Sequence, residues 1–292
     1  MNIEEELNLI KERNKRVEAE KGWETSSKVS FSEIINLCKP AGWTPIQAIR
    51  ALRERRPELK GLKIACAGRL DPMAEGVLIV MAGEALKDYD KYCRRDKAYE
   101  AEALLGFSSD SWDVMGMMKK VETGRDLSVQ EIKHELKKFV GKVELPLPPY
   151  SSPTVEGKPL YWWAKRGKLT PENLPVREME IFSIQCKGMK ELGAGEALQS
   201  VTERIQRVEG DFRKDGIIAR WSEILAHKDE PLQIVSFRVH CASGTYIRSI
   251  AHAFGARLGC GALLYRLVRT RVGRYGIAES ERALLDRVNE VY

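Results

Sequence analysis

Apolar and polar positions alternate along Lys97 to Leu105 and Leu232 to Cys241, and that period of two predicts half-buried strands; Ser32 to Lys39 reads as a short strand. Leu62 to Ala67 and Glu178 to Cys186 are predicted as further strands. Val77 to Ala82 is a continuous apolar run. Helical signals fall between them. Thr44-Pro45 reads as a cap followed by a first-turn proline, with Ile46, Ile49 and Leu52 predicted as one apolar face and Arg50, Arg53, Arg55 and Arg56 on or near the other. Ser128 and Glu131 form a capping box for a helix predicted to reach about Val140. Tyr161, Trp162 and Trp163 fall on a short predicted helix ending near Gly167, and Thr245 to Leu258 is predicted as another. Leu145 to Pro153 is Pro-rich and reads as a loop or an extended edge. Leu263 to Tyr275 is strand-rich with arginines interleaved.

Two segments stand apart. Met1 to Ser30 is a charged extension with sparse Leu and Ile. Residues 187–230 read as an insertion, with a Gly-rich start, mixed charge and weak periodicity. Strands and helices are interspersed without strict alternation, so the pattern predicts a mixed α+β fold.

The 292 residues are enough for one large domain, and 43% hydrophobic against 31% charged residues is a globular balance. No run of eighteen apolar residues is present, so a helical membrane span is not expected. The six cysteines are scattered with no CxxC pair, and the first residues carry no apolar signal region. Reduced thiols in an intracellular compartment are expected, the cytoplasm or an organelle such as the mitochondrion. The four histidines and the cysteines show no zinc-ligand spacing, so no metal site is expected.

Charge matters through its distribution. The net charge is only +6, but Pro231 to Ala278 contains no Asp, Glu or Lys and seven arginines: Arg238, Arg248, Arg257, Arg266, Arg269, Arg271 and Arg274. Any one of them could pair with an acid elsewhere in the fold. Seven together point to a polyanionic partner, nucleic acid first.

Three places carry candidate chemistry. Asp71 lies in the turn Gly68-Arg69-Leu70-Asp71-Pro72, between two apolar runs and shortly before Gly76. A rigid, ionised carboxylate there is a candidate nucleophile or base, and an aspartate that merely caps its own turn is the plainer reading. In Cys241-Ala242-Ser243-Gly244-Thr245-Tyr246-Ile247-Arg248 a strand gives way to a helix, which places Tyr246 and Arg248 in its first turn. Arg248 could hold a carboxylate through two hydrogen bonds, or form an ordinary salt bridge. Tyr99, in Lys97-Ala98-Tyr99, is a candidate aromatic platform or a packing residue.

AGRLDPMAEGVLIVMAGEALK, KAYEAEALLG, PPYSSPTVEGKPLYWWAKRG and CASGTYIRSIAHAFGARLGCGALLYRLVRTRVGRY resemble, in order and spacing, the successive motifs of the TruB family of tRNA pseudouridine synthases. The similarity begins near Ile34 with INLCKPAGWTP and runs to about Leu284. The resemblance implies a catalytic domain over residues 31–292 with a mainly antiparallel central sheet flanked by helices. It implies that Asp71 is the catalytic aspartate, that Tyr99 stacks on the target uracil and takes part in proton removal, and that Arg248 pairs with Asp71 when no substrate is bound. Tyr246 would help close the pocket. With Cys66, Gly68, Arg69, Leu70, Tyr161, Arg269 and Arg271 it makes up the expected substrate-contact set. The implied reaction converts uridine to pseudouridine in structured RNA, the T-loop of tRNA above all, with no cofactor and no metal. Three departures accompany it. Cys66 stands where the family usually has His, and Thr154 where it usually has Lys. Many family members carry a C-terminal PUA domain that grips the tRNA end; none is expected here, so RNA contacts are expected from the core, the extension, the insertion or a protein partner. An RNA chaperone or ribosome-assembly factor on the same fold is the alternative. A third reading, an aspartate-dependent hydrolase of a small phosphorylated substrate, needs a metal or a second carboxylate, which the turn does not supply.

Overall fold

The computed structural model describes residues 31–122, 127–226 and 230–282, and the charged extension 1–30 lies outside them. Fourteen strands are described: β1 (Ser32–Lys39), β2 (Ile64–Ala67), β3 (Glu75–Gly83), β4 (Lys97–Leu105), β5 (Phe107–Ser109), β6 (Met118–Lys120), β7 (Gly141–Pro146), β8 (Thr154–Val155), β9 (Lys158–Pro159), β10 (Val176–Leu192), β11 (Leu232–Cys241), β12 (Ala262–Val272), β13 (Tyr275–Gly276) and β14 (Glu281–Arg282). The helices are α1 (Pro45–Arg55), α2 (Tyr89–Cys93), α3 (Val129–Lys137), α4 (Leu160–Ala164), α5 (Ala194–Arg207), α6 (Lys214–Leu225) and α7 (Ile247–Arg257). Ten strands share one sheet in the order β14-β1-β3-β12-β4-β11-β10-β7, with β2 beside β3 and β13 beside β12. β1 with β14 and β3 with β12 pair parallel, and the other strand pairs of this sheet run antiparallel. This is the mixed, mainly antiparallel α+β architecture. No helix among the described residues is long and apolar enough to cross a membrane.

The centre of the sheet explains its most apolar segment. β3 lies between β1 and β12, and Val77 to Ala82 are wholly buried, so both faces of the strand need apolar side chains and alternation disappears. β3 meets β12 with Gly76 opposite Arg269, and β12 meets β4 with Arg269 opposite Tyr99. The backbones approach so closely at the first pair that a Cβ on Gly76 would stand 2.3 Å from the Arg269 carbonyl oxygen. Gly76 has φ +106, open to glycine and strained for other residues.

The expected capping box of Ser128 with Glu131 forms on α3, and the Thr44 cap on α1 is completed into a box by Gln47. The apolar face expected on α1 is rotated. Gln47, Ala48 and Leu52 are its buried residues, whereas Ile46 is 73% exposed and, with Ile49, faces a cavity. Tyr246 is likewise displaced from its expected place in a helical first turn; it is the extended residue that precedes α7.

Residues 187–230 depart furthest from expectation. The first six continue β10 and pair with β11 as far as Leu192 opposite Leu232. The rest is a helical hairpin, α5 and α6. The stripe on α5 is Ala197, Val201, Arg204 and Ile205, and its charged member is buried, with its guanidinium 4.8 Å from the Tyr265 ring centroid and Nη1 donating to the Tyr265 carbonyl at 2.6 Å. Ala197, Val201 and Ile205 recur at helical spacing in the sequence, with the buried Arg204 among them.

The acid-free arginine stretch also reads differently in three dimensions. Arg238 pairs with Glu100, Arg248 with Asp71, Arg257 with Glu135, Arg266 with Glu75 and Arg271 with Asp96. Arg269 is buried on backbone carbonyls. A sheet places each strand beside strands distant in sequence, so a local absence of acids says little about the neighbours in space. Arg274 donates to the Tyr275 hydroxyl at 3.3 Å, so five of the seven arginines pair with acids from outside the stretch.

Candidate active site

The Asp71 turn is held from beneath by two buried cations. Arg269 Nε donates to Val77 O at 2.7 Å, Nη1 to Arg69 O at 3.0 Å and Nη2 to Gly68 O at 3.2 Å. Lys39, at the end of β1, donates from Nζ to Ala74 O at 2.5 Å, Trp43 O at 2.7 Å and Pro40 O at 2.9 Å, with Pro72 O at 3.4 Å. Burial lowers the Lys39 ammonium to about 7, against the pull of the Asp71 charge. Turn carbonyls that strands cannot pair are thus satisfied by side chains, which fixes the loop carrying Asp71.

Arg248, at the start of α7, grips Asp71 from the other side. Nε lies 2.7 Å from Oδ2 and Nη2 3.0 Å from Oδ1, a fork-to-fork ion pair. The guanidinium is 3% exposed and the Asp71 carboxylate 33%, so the acid opens to the cavity while the base is walled in. Arg248 Nη1 also donates to Ser111 O at 3.0 Å, and Nη2 to Tyr150 O at 3.3 Å.

A second carboxylate comes from a segment the sequence reading passed over. Asp113 Oδ2 is 3.6 Å from Arg248 Nε, and its Oδ1 accepts from Ser111 Oγ at 2.6 Å and Met115 N at 2.8 Å. Burial raises its carboxyl to about 6, with Arg248 opposing and Asp71 reinforcing the shift. Beside it Trp112 holds a positive φ of 64 and stacks on His252 at 4.1 Å. The signal available in sequence was the polar run Ser108 to Asp113 interrupted by a tryptophan, which also suits an ordinary turn.

Tyr99 is buried beside Arg269, and burial pushes its phenol up to about 12, so it is neutral at physiological pH. Asp71, Tyr99 and Arg248 share one cavity of about 750 Å³. Cys66, Gly68, Arg69, Leu70, Tyr161, Tyr246 and Arg269 line it too. Burial raises the thiol of Cys66 and the phenol of Tyr246. Arg69 reaches across to Ser152 Oγ at 2.5 Å, and Tyr161 stands exposed at the rim on α4. Lys97, whose ammonium burial lowers to about 8, and the α5–α6 turn Asp211-Phe212-Arg213 also line it and were not anticipated.

Arg271 is the exception in the expected contact set. A register shift between Arg269 and Arg271 sets Arg269 opposite Tyr99 but Arg271 opposite Ala98. Regular pleating would give the two arginines one face; the bulge turns Arg271 to the other. There it contacts Asp96 at 3.1 Å and His240 at 3.0 Å, away from the cavity lining. Thr154 opens the β8–β9 ribbon, is exposed, and does not line the cavity either. Among the described residues no cluster of His, Cys, Asp and Glu is arranged to hold a metal ion.

Comparison with known proteins identifies the family. The family model described as TruB family pseudouridylate synthase (N terminal domain) matches residues 55–205. tRNA pseudouridine synthase B of Trichormus variabilis is 32% identical over 246 residues, 84% of this chain and 69% of that protein. The chain belongs to the TruB family. The same-named protein of Nitratidesulfovibrio vulgaris is 32% identical over 248 residues, covering 85% of this chain and 65% of that one. The chain thus spans about two thirds of the length of these TruB relatives. Among solved structures, a Cbf5-Nop10-Gar1 complex superposes with a TM-score of 0.52 at 21% identity, over 88% of this chain and 57% of that one, a likeness of fold.

Proposed function

We propose that this chain is an RNA pseudouridine synthase acting on a uridine flipped out of structured RNA, with the T-loop of tRNA as substrate. The observation that carries this reading is the Asp71–Arg248 ion pair, open on its acidic side to a cavity that Tyr99 also lines.

The reaction is an isomerisation. The bond from ribose C1′ to N1 of uracil breaks, the base turns, C5 bonds to C1′, and the proton on C5 leaves. None of this is possible while the base is stacked, and extruding it costs about a few kcal/mol. Stacking on an aromatic ring returns roughly 1–3 kcal/mol. Tyr99 is the ring, and its neutral phenol adds no charge beside the developing one. Asp71 acts at the sugar as nucleophile or as base, and both roles need an ionised carboxylate. Arg248 keeps it aimed, and Arg269 and Lys39 keep its turn from yielding. Arg69, Tyr246 and Tyr161 lie where the nucleotide enters.

Asp71→Asn preserves shape and removes the charge. It is expected to abolish pseudouridine formation in a purified tRNA assay while leaving RNA affinity within about threefold of wild type. Pseudouridine formed at the wild-type rate would overturn the role of Asp71. RNA that binds the wild-type protein but never gains pseudouridine would favour the chaperone alternative.

A further inference from the structure

The α5–α6 hairpin is anchored where α5 ends and again midway along α6. On α1, Gln47 Nε2 donates to Arg207 O at 2.9 Å, and Glu209 N donates to Gln47 Oε1 at 3.2 Å. Further along, Arg220 Nε donates to Met118 O on β6 at 3.0 Å. Its turn is thereby presented to the cavity, with Arg213 in the left-handed region at φ 53. A residue bearing a Cβ persists there only when its surroundings hold it.

Those surroundings lead to the ion pair. Arg213 Nη1 is 2.7 Å from Asp110 Oδ2 and Nη2 3.3 Å from Oδ1, and the guanidinium lies 4.5 Å from the centroid of the Tyr150 ring. Asp110 Oδ1 also accepts from Met117 N at 2.8 Å, which closes the loop containing Ser111 and Asp113. Arg248 takes its two carbonyl partners from Ser111 and Tyr150. One of these adjoins Asp110 and the other is Tyr150 itself. Arg213 therefore ties together the two loops whose carbonyls seat Arg248.

We propose that Arg213 is a positioning residue for the active site: by joining Asp110 to Tyr150 it fixes Arg248, and through Arg248 the Asp71 carboxylate. The hairpin is then a working part of the site. An exposed Arg–Asp pair by itself contributes little. This one is forked and stacked on a ring, with Asp110 next to Ser111 and the ring belonging to Tyr150, the two residues whose carbonyls seat Arg248. Its effect on rate rests on the synthase reading above, whereas its effect on Arg248 does not.

The test compares wild type, Arg213→Ala, Arg213→Gln and Arg213→Lys, with Glu203→Ala on α5 as a control away from the turn. Three quantities are measured: the single-turnover rate with saturating enzyme, the RNA dissociation constant, and water exchange of the Arg248 Nε–H in 15N-labelled protein without RNA. Arg213→Ala and Arg213→Gln are expected to slow isomerisation roughly 10- to 100-fold while RNA affinity stays within about threefold. Exchange at Arg248 is expected to accelerate about tenfold or more. Methylguanidinium should restore part of the rate to Arg213→Ala, and Arg213→Lys should recover little because an ammonium has no planar fork. A rate within about twofold of wild type, a rate loss matched by lost RNA affinity, or unchanged Arg248 exchange each overturns the proposal. If wild type forms no pseudouridine, the synthase reading fails, and the exchange comparison still decides whether Arg213 positions Arg248.

Discussion

Arg248 faces two carboxylates at once, with Nε 2.7 Å from Asp71 Oδ2 and 3.6 Å from Asp113 Oδ2. One acid is open to the cavity and the other is sealed, so a single guanidinium links the reactive face of the site to its interior.

The sealed acid makes this link sensitive to pH. The Asp113 carboxyl is raised to about 6 in the folded chain, above the ordinary carboxylate range. Between the two values the folded chain binds more protons than the unfolded one, so the Asp113 contribution to stability falls as pH rises through that window. Above about 6 its burial cost is complete, on the order of 3 kcal/mol. Asp113→Asn removes that dependence. The stability difference is expected to shift in the variant's favour as pH goes from about 4 to about 7, read by urea denaturation at each pH. Arg248 then keeps only one anionic partner. The single-turnover rate of wild type should fall below pH about 6, and that of Asp113→Asn should be lower and flat across the same range. An acid limb that survives in the variant would place the titrating group elsewhere.

Packing at Gly76 can be separated from backbone strain. Gly76→Ala would bring a Cβ to 2.3 Å from the Arg269 carbonyl in the middle of the sheet. A loss on the order of 3 kcal/mol is expected from the clash and the positive φ together. Gly61→Ala, also at positive φ but with no heavy atom within 4 Å, should lose only about 1 kcal/mol. Equal losses in thermal or urea unfolding would show that the β3–β12 contact yields.

Cys66 offers a chemical footprint of the cavity. Burial holds its thiol above the ordinary range, so it is protonated at pH 7 and its alkylation by iodoacetamide should run at least about tenfold slower than that of a free cysteine. Bound substrate RNA should slow it further, read by peptide mass spectrometry. Unchanged labelling with RNA bound would place the RNA outside this wall of the cavity.

Much of the fold was legible because local pattern and tertiary role agree. β1, β4 and β11 have the predicted ends, since one face of each is buried and alternation survives. The Ser128–Glu131 capping box was legible because a cap is a contact between residues three apart. α5 was read as weakly periodic, although Ala197, Val201 and Ile205 recur at helical spacing on its buried face. The resemblance to the TruB motifs brought Asp71, Tyr99 and Arg248 together as a set before any geometry was known, and all three line one cavity.

The sequence by itself determined β1, β4 and β11, the caps at Thr44 and Ser128, the acidic turn and the family. Only the tertiary structure decided where charges meet. It paired five arginines of the acid-free stretch with acids from other parts of the chain, and a single bulge separated Arg271 from Arg269. It brought Asp113 to Arg248, and Arg213 to Asp110 and Tyr150. Periodicity and capping act over a few residues and leave a trace in the local pattern. Ion pairs and carbonyl contacts join residues far apart in the chain, and their energies depend on burial and distance, which exist only once the sheet has formed.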